Sequence, residues 1–102
     1  MIPKGDIQFI QKTLMPQFGV RKLFIAYSSS KAKWPDIWVS MGGVPKITVT
    51  DEWRRQNMHE RRKRLTHEFL HLGGMEHDES IGYSTYPDRD RFSMIVYRRL
   101  IL

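Results

Sequence analysis

Residues 51–77 read DEWRRQNMHERRKRLTHEFLHLGGMEH, and this stretch organises the rest of the chain. Neither glycine nor proline occurs from Asp51 to Leu72, and the composition favours helix throughout. Thr50 or Asp51 can cap the start, and Gly73 lies where a left-handed residue ends many helices. The sequence therefore predicts one long helix that ends in a glycine turn.

A shorter helix is predicted near the N-terminus. Apolar residues recur there at spacings of three and four, as on one face of a helix. Asp6 is a plausible N-cap, so we expect a helix over residues 5–14 that ends near Pro16. Its expected role is to cover a sheet.

Three strands are predicted between these helices. Runs rich in β-branched and aromatic residues occur at 20–28, 37–41 and 46–50. Pro35 and Pro45 flank the middle run. Because proline cannot donate a hydrogen bond to a neighbouring strand, this middle strand is expected at an edge of the sheet.

The chain as a whole reads as one small α+β domain. A length of 102 residues suits a single hydrophobic core. We expect residues 1–102 to form one domain: an N-terminal helix, a three-stranded sheet, a long helix and a C-terminal segment. That last segment, FSMIVYRRLIL, could be a strand, a helix or a clamp across a cleft.

Composition excludes several classes of site. Cysteine is absent, so any metal must be held by nitrogen and oxygen ligands. No run approaches the roughly 18 apolar residues of a membrane helix, and the N-terminus MIPKGD does not resemble a secretion signal. We therefore expect a cytoplasmic protein with no membrane span.

The net charge of +6 is concentrated in two segments. A basic surface of this kind is either a solvated helix face or a contact for nucleic acid, and charge alone does not decide between them. The first group is Arg54, Arg55, Arg61, Arg62, Lys63 and Arg64; the second is Arg89, Arg91, Arg98 and Arg99.

The histidines of the long helix predict a Zn²⁺ site. His67 and His71 are four residues apart, so their imidazoles lie on one helix face and can share one ion. Glu68 lies where a carboxylate can act on a metal-activated water, as in H-E-x-x-H zinc hydrolases. Zinc needs a third protein ligand, and His77 follows the glycine turn. His59, roughly 12 Å along the helix from His67, is assigned to the surface.

Residues 67–77 match H-E-x-x-H-x-x-G-x-x-H, which resembles the extended zinc motif of metzincin-type metallopeptidases. With its small size and its order of helix, three strands and helix, the chain looks like the minimal soluble metallopeptidases called minigluzincins, whose third zinc ligand is a histidine. The resemblance implies a zincin-like domain that hydrolyses protein or peptide substrates, with Glu68 as general base. No glutamate follows Glu79 to serve as the downstream ligand of typical gluzincins, which favours His77.

This mechanism suggests roles for further residues near the motif. Tyr83 and Tyr86 follow the third ligand closely and are expected either to stabilise an oxyanion or to pack. Asp78 is expected either to orient a ligand imidazole or to lie on the surface.

The sequence also suggests functional roles for two segments outside the histidine motif. The middle strand is the expected substrate rim, although its side chains could simply supply core; its residues are Ile37, Trp38, Val39, Ser40 and Met41. The segment 86–102, which contains Asp88 and Asp90, is expected either to block the cleft and keep the enzyme latent or to be merely structural.

Two other functions remain open. Endoribonucleases of ribosomal RNA maturation use a similar H-x-x-x-H-x-x-G-x-x-H spacing, and a basic face would suit RNA phosphates. Their motif normally lacks a glutamate after the first histidine, so Glu68 favours a peptidase. The third alternative is a basic binding module with structural zinc, although structural zinc normally has four protein ligands.

Overall fold

A mixed sheet of three strands forms the centre of the protein. The computed structural model describes residues 1–29, 35–75 and 86–102, apart from the side chains of 86–90. The strands are β1 (Phe24–Ser28), β2 (Ile37–Ser40) and β3 (Lys46–Thr50). They are ordered β1-β3-β2, with β1 parallel and β2 antiparallel to β3. The predicted α+β class is confirmed.

The residue types of the strands explain their order in the sheet. Ile47, Thr48, Val49 and Thr50 of β3 are all buried, as expected for a central strand of β-branched residues covered on both faces. The proline-flanked strand β2 lies at an edge, as predicted. It ends one residue early, at Ser40, and β1 begins four residues later than predicted.

Helices pack around this sheet. None of them, within the part of the chain that the structure describes, is long and apolar enough to cross a membrane. Their bounds are α1 (Lys4–Phe9), a π-helical segment (Ile10–Leu14), α2 (Met15–Phe18), α3 (Asp51–Arg54), α4 (Met58–Leu72) and α5 (Tyr86–Leu100).

The N-terminal helix differs from its prediction at both ends. It begins at Lys4, so Asp6 lies inside the first turn and is not the N-cap. The Asp6 side chain is fully buried and accepts hydrogen bonds from Nε of Arg61 (2.7 Å) and Nε of Arg62 (2.9 Å). These two guanidinium groups, rather than backbone N–H groups, satisfy its carboxylate and join α1 to α4. At the other end, the helical run passes Pro16 and stops at Gly19.

The predicted long helix is two helices. Thr50 caps the first as expected, because its Oγ1 accepts from the Trp53 N–H at 3.3 Å. A second start follows at Asn57, whose Oδ1 accepts from the Glu60 N–H at 2.9 Å. Trp53, in the first of these helices, is buried and donates from Nε1 to the carbonyl of Arg61 (3.2 Å). Because the Asn57 side chain caps a new helix at this point, the first helix does not continue through it.

The C-terminal segment is a helix, α5, that packs on α4. Tyr97 is 2% exposed, and its ring meets Phe9 edge to face with centroids 5.7 Å apart. Its hydroxyl lies 2.7 Å from Nδ1 of His59, which is exposed as predicted. These contacts give α5 a structural role. Whether 86–102 also blocks a cleft stays a prediction.

Candidate metal centre

Helix α4 brings the imidazoles of His67 and His71 together. Their Nε2 atoms are 3.1 Å apart, and the rings stand at 89° with centroids separated by 4.7 Å. Two nitrogens bound to one tetrahedral zinc at 2.0–2.1 Å would be about 3.3 Å apart. The pair therefore fits two ligand positions of such an ion.

Each of these rings is held through its other nitrogen. Nδ1 of His67 lies 2.9 Å from Oγ of Ser93 on α5, and Nδ1 of His71 lies 2.8 Å from the carbonyl oxygen of Met75. A carbonyl only accepts, so Nδ1 of His71 carries the hydrogen. In the neutral ring, Nε2 then presents a lone pair, which is the form that binds metal.

The glycine turn supplies the carbonyl that holds His71. The Met75 N–H donates to the carbonyl of Leu70 and the Gly74 N–H to that of His71, both at 3.0 Å. This is a Schellman motif, in which Gly74 takes the left-handed position with φ 94°. The prediction that placed the left-handed residue at Gly73 was therefore wrong by one position, since Gly73 has φ −79°.

Glu68 occupies a buried position beside the histidine pair. Glu68 is only 7% exposed. Burial raises the pKa of its carboxyl to about 8, and the nearby charge of Asp36 makes a smaller contribution in the same direction. Burial also raises the pKa of Asp36, although Arg64 forms an ion pair with it and opposes the shift. The metal-free site thus contains a carboxyl that binds its proton strongly.

Asp36 connects this carboxyl to the sheet. Its backbone carbonyl accepts from both the N–H (3.1 Å) and the Oγ1 (2.7 Å) of Thr50, so the residue before β2 is fixed to the end of β3. Helix α4 packs against β2 as well as α5, the charge of Asp36 acts on Glu68, and His67 contacts α5. The centre on α4 is therefore flanked by β2 on one side and by α5 on the other.

The orientation of the β2 backbone follows from its register. Because the Thr50 N–H bonds the carbonyl of Asp36, these two residues form a hydrogen-bonded pair, and the pairs alternate from there along the antiparallel ladder. Trp38 consequently directs its backbone groups toward β3, whereas Ile37 and Val39 direct theirs away from it. No other strand of the described chain pairs with that edge.

The chain matches no family model, and no curated protein or solved structure matches it. The resemblance noted above therefore rests on the motif and on the order of elements.

Several predicted site residues fall outside the part of the chain that the structure describes. His77, Asp78 and Tyr83 lie outside it; Tyr86 begins α5, but its side chain is not described. Among the described side chains, those of 1–29, 35–75 and 91–102, no third His, Asp or Glu joins the histidine pair in a metal-binding group. Met41, predicted in the rim strand, follows the end of β2 and is 57% exposed.

Sequence reasoning missed three residues that shape the centre. Ser93 lies in the C-terminal segment, whose pattern fits a strand, a helix or a clamp, and Asp36 lies between Pro35 and the predicted strand 37–41, where no local signal marks it. Met75 acts through its backbone carbonyl, so its side chain gave no signal. The Schellman turn could have been located from the double glycine, because either glycine was able to take the left-handed position.

The basic residues of α4 are largely paired inside the protein. Arg61 and Arg62 bind Asp6, while Nζ of Lys63 and Nε of Arg64 lie 2.6 Å and 3.1 Å from Oε1 of Glu60. Their side chains are only 4–21% exposed. These four residues are therefore largely engaged within the protein. Five other basic residues of the two groups are exposed: Arg54, Arg55, Arg91, Arg98 and Arg99.

Proposed function

We propose that this protein is a zinc-dependent metallopeptidase. The observation that carries the proposal is the pair of Nε2 atoms of His67 and His71, 3.1 Å apart, with both rings held through Nδ1. His67 and His71 would hold the ion, and His77 is proposed as the third ligand. A cytoplasmic location belongs to the same proposal.

The chemistry that zinc supplies when bound is Lewis acidity, which polarises a scissile carbonyl and makes water a better nucleophile. The carboxylate of Glu68 then takes a proton from the attacking water and returns it to the nitrogen of the leaving amine. Burial of Glu68 supports this role, because a desolvated carboxylate is a stronger base than an exposed one. Oxyanion stabilisation by Tyr83 or Tyr86 remains part of the proposal.

An extended peptide is the substrate that suits the neighbouring edge. The N–H and C=O groups of Ile37 and Val39 point away from β3, so a peptide could add to β2 as a further strand. This edge begins directly after Asp36, whose charge acts on Glu68. The register therefore supports β2 as the substrate rim.

The central basic residues of α4 give the endoribonuclease alternative little support. Arg61, Arg62, Lys63 and Arg64 pair with carboxylates of the same chain, so binding RNA phosphates would require breaking these pairs.

Metal content tests the centre first. Purified protein is expected to bind about one zinc per chain, measured by elemental analysis, and His71→Ala is expected to lose it. His59→Ala is the matched control, because it removes another imidazole from the same helix and should retain zinc. Zinc retained by His71→Ala, or absent from all three proteins, would overturn the proposed site.

Activity tests the reaction. Glu68→Gln is expected to keep zinc and lose hydrolysis of unstructured protein substrates by 10²-fold or more, in line with the usual contribution of a general base of about 10²–10⁴. Cleavage of RNA that survives Glu68→Gln, without proteolysis by the unaltered protein, would favour the endoribonuclease. Zinc binding with neither activity would favour a structural zinc module.

A further inference from the structure

We propose that one end of the sheet, formed by the β2–β3 turn and the start of β1, docks on a lipid surface that carries anionic headgroups. This goes beyond the proposed function and requires neither zinc nor peptidase activity. The exposed residues that carry the proposal, which we call the sheet tip, are Arg21, Lys22, Phe24, Met41, Val44 and Lys46.

Strand pairing brings the sheet tip together from two separate segments. Phe24 at the start of β1 is the register partner of Lys46 at the start of β3, and Lys46 pairs in turn with Ser40 at the end of β2. Neighbouring strands lie about 4.8 Å apart, so paired residues are adjacent on one face of the sheet. The Phe24 N–H also donates to the Pro45 carbonyl at 2.9 Å, which fixes the start of β1 to the β2–β3 turn.

The apolar side chains of the sheet tip are open to solvent. Phe24 is 62% exposed, Met41 57% and Val44 39%. Single exposed apolar residues are common on protein surfaces, but these three converge at one end of the sheet. A Cβ added at Gly42 or Gly43 would meet no atom within 4 Å. The turn therefore projects from the protein, and its apolar residues do not line a groove.

The charge around these apolar residues has one sign. Arg21, Lys22 and Lys46 are exposed, and they lie outside the two basic groups considered from the sequence. Neither 7–35 nor 37–50 contains an aspartate or a glutamate. The sheet tip thus combines three cations with three apolar side chains and has no acidic residue.

A lipid surface is the partner that uses both parts of this composition. Apolar side chains enter the boundary between headgroups and acyl chains, while lysine and arginine stay at the level of the anionic headgroups. The phosphates of a nucleic acid would use the cations but not Met41 or Val44, which have no ring on which a base could stack. A second protein would need roughly 20–30 contacting residues a side, far more than a projecting turn provides.

Cosedimentation of the full chain with lipid vesicles tests the docking. We expect the protein to sediment with vesicles of equal parts phosphatidylcholine and phosphatidylserine, and to stay in solution with phosphatidylcholine alone. Binding should weaken as salt rises, because salt screens the headgroup charges. No binding to the anionic vesicles, or equal binding to both compositions, would overturn the proposal. Zinc content does not enter this measurement, so its outcome is separate from that of the metal centre.

A triple variant with a matched control tests the apolar residues. The tip variant carries Phe24→Ser, Met41→Ser and Val44→Ser, and the control carries Tyr27→Ser, Met58→Ser and Ile95→Ser at positions that are also exposed. We expect the tip variant to lose vesicle affinity by about 10-fold or more and the control to change little. Circular dichroism checks that both variants fold. Equal losses, or no loss in the tip variant, would overturn the assignment.

A second pair of variants tests the cations with the same change in net charge. The tip variant carries Arg21→Gln, Lys22→Gln and Lys46→Gln, and the control carries Arg54→Gln, Arg98→Gln and Arg99→Gln, which also alter exposed residues. At low salt we expect the tip variant to lose about fivefold in affinity per charge, and the control much less. Equal losses would mean that net charge, rather than the sheet tip, attracts the protein to the vesicles, and would overturn the proposal.

Two other occupants of the sheet tip give distinct results. If light scattering shows a dimer that the apolar tip variant converts to a monomer, the sheet tip pairs with a second copy of the chain. Tighter binding to a short RNA duplex than to the anionic vesicles, lost only in the basic tip variant, would assign the sheet tip to nucleic acid. Either result would overturn docking on a lipid surface.

Discussion

The carbonyl oxygen of Met75 lies 2.8 Å from Nδ1 of His71, four residues earlier on the other side of the glycine turn. This contact exists because the chain reverses at the end of α4, where Gly74 has φ 94°. The turn therefore does more than end the helix. It orients the second proposed ligand, so backbone geometry and metal affinity should be coupled.

Gly74→Ala is expected to lower the free energy of unfolding by about 1–2 kcal/mol, because a Cβ is unfavourable in the left-handed conformation. It should also weaken zinc binding, since the Met75 carbonyl would shift. Chemical denaturation and chelator competition measure the two effects.

Gly73→Ala is the matched control for this turn. Gly73 has a negative φ, and an added Cβ would meet its nearest atoms, the Leu70 carbonyl oxygen and a Phe18 ring carbon, at 3.4 Å. We expect a change within about 0.5 kcal/mol. Equal effects of the two substitutions would contradict the assignment of the left-handed role to Gly74.

The stability of the metal-free protein should depend on pH through Glu68. Its pKa is about 8 in the folded protein and 4.5 is the ordinary value, so the folded state holds this proton more tightly. The resulting stability is fully present below pH 4.5 and is lost as pH rises toward and through 8. The total loss is on the order of a few kcal/mol.

Glu68→Gln isolates this contribution because glutamine does not titrate. Denaturation in the presence of chelator, from pH 4 to 9, should show the variant gaining stability relative to the unaltered protein as pH rises. Glu52→Gln, which alters a more exposed carboxylate paired with Arg55, is the control. Parallel curves for Glu68→Gln and the unaltered protein would contradict the raised pKa.

The features predicted correctly from the sequence are those that depend on residues close together in the chain. The β-branched run 46–50 predicted a strand, the prolines around β2 predicted an edge, and the spacing of His67 and His71 predicted that they share a helix face. Each of these inferences requires only the period of a helix or strand and the hydrogen-bonding limits of proline.

Features that depend on tertiary contacts were not predicted. Asp6 had the sequence signature of an N-cap but is buried against two arginines from a helix 55 residues away in sequence. The division of the long helix was missed although Asn57 precedes Glu60 by three residues, a recognised start signal. The contact between Ser93 and His67 joins two helices, and no local pattern indicates such a pair.

Asp6→Asn is expected to cost about 3–5 kcal/mol of folding free energy, because it removes the charge that compensates Arg61 and Arg62 between α1 and α4. Thermal and denaturant unfolding measure the loss. Glu52→Gln again serves as control, since exposed ion pairs contribute about 0–1 kcal/mol. A similar small effect at Asp6 would mean that the arginines find other partners.

Val39→Pro tests the substrate rim. It removes an N–H that points away from β3, so the fold should persist while one hydrogen bond to a peptide is lost. We expect KM for peptides to rise by about 2–10-fold, which corresponds to the usual 0.5–1.5 kcal/mol per hydrogen bond. Steady-state kinetics on a peptide series measures it.

Trp38→Pro is the register control, because the Trp38 N–H points into the sheet toward Thr48. It should destabilise the fold itself, as seen in the unfolding midpoint. If Val39→Pro unfolds the protein and Trp38→Pro does not, the alternation assigned to β2 is wrong.

Deletion of the residues after Tyr86 is expected to unfold the protein, because it removes Tyr97 from the core and Ser93 from His67. Circular dichroism and the unfolding transition of the truncated chain measure this loss. Truncation therefore cannot test whether the segment 86–102 keeps the enzyme latent.

Latency requires a test that leaves α5 intact. If Asp88 and Asp90 hold the centre closed, the double substitution Asp88→Ala and Asp90→Ala should raise peptidase activity without changing zinc content. Arg91→Ala, an exposed substitution on the same helix, is the control. Unchanged activity in the double variant, with zinc and fold preserved, would leave α5 with a structural and positioning role and would contradict latency.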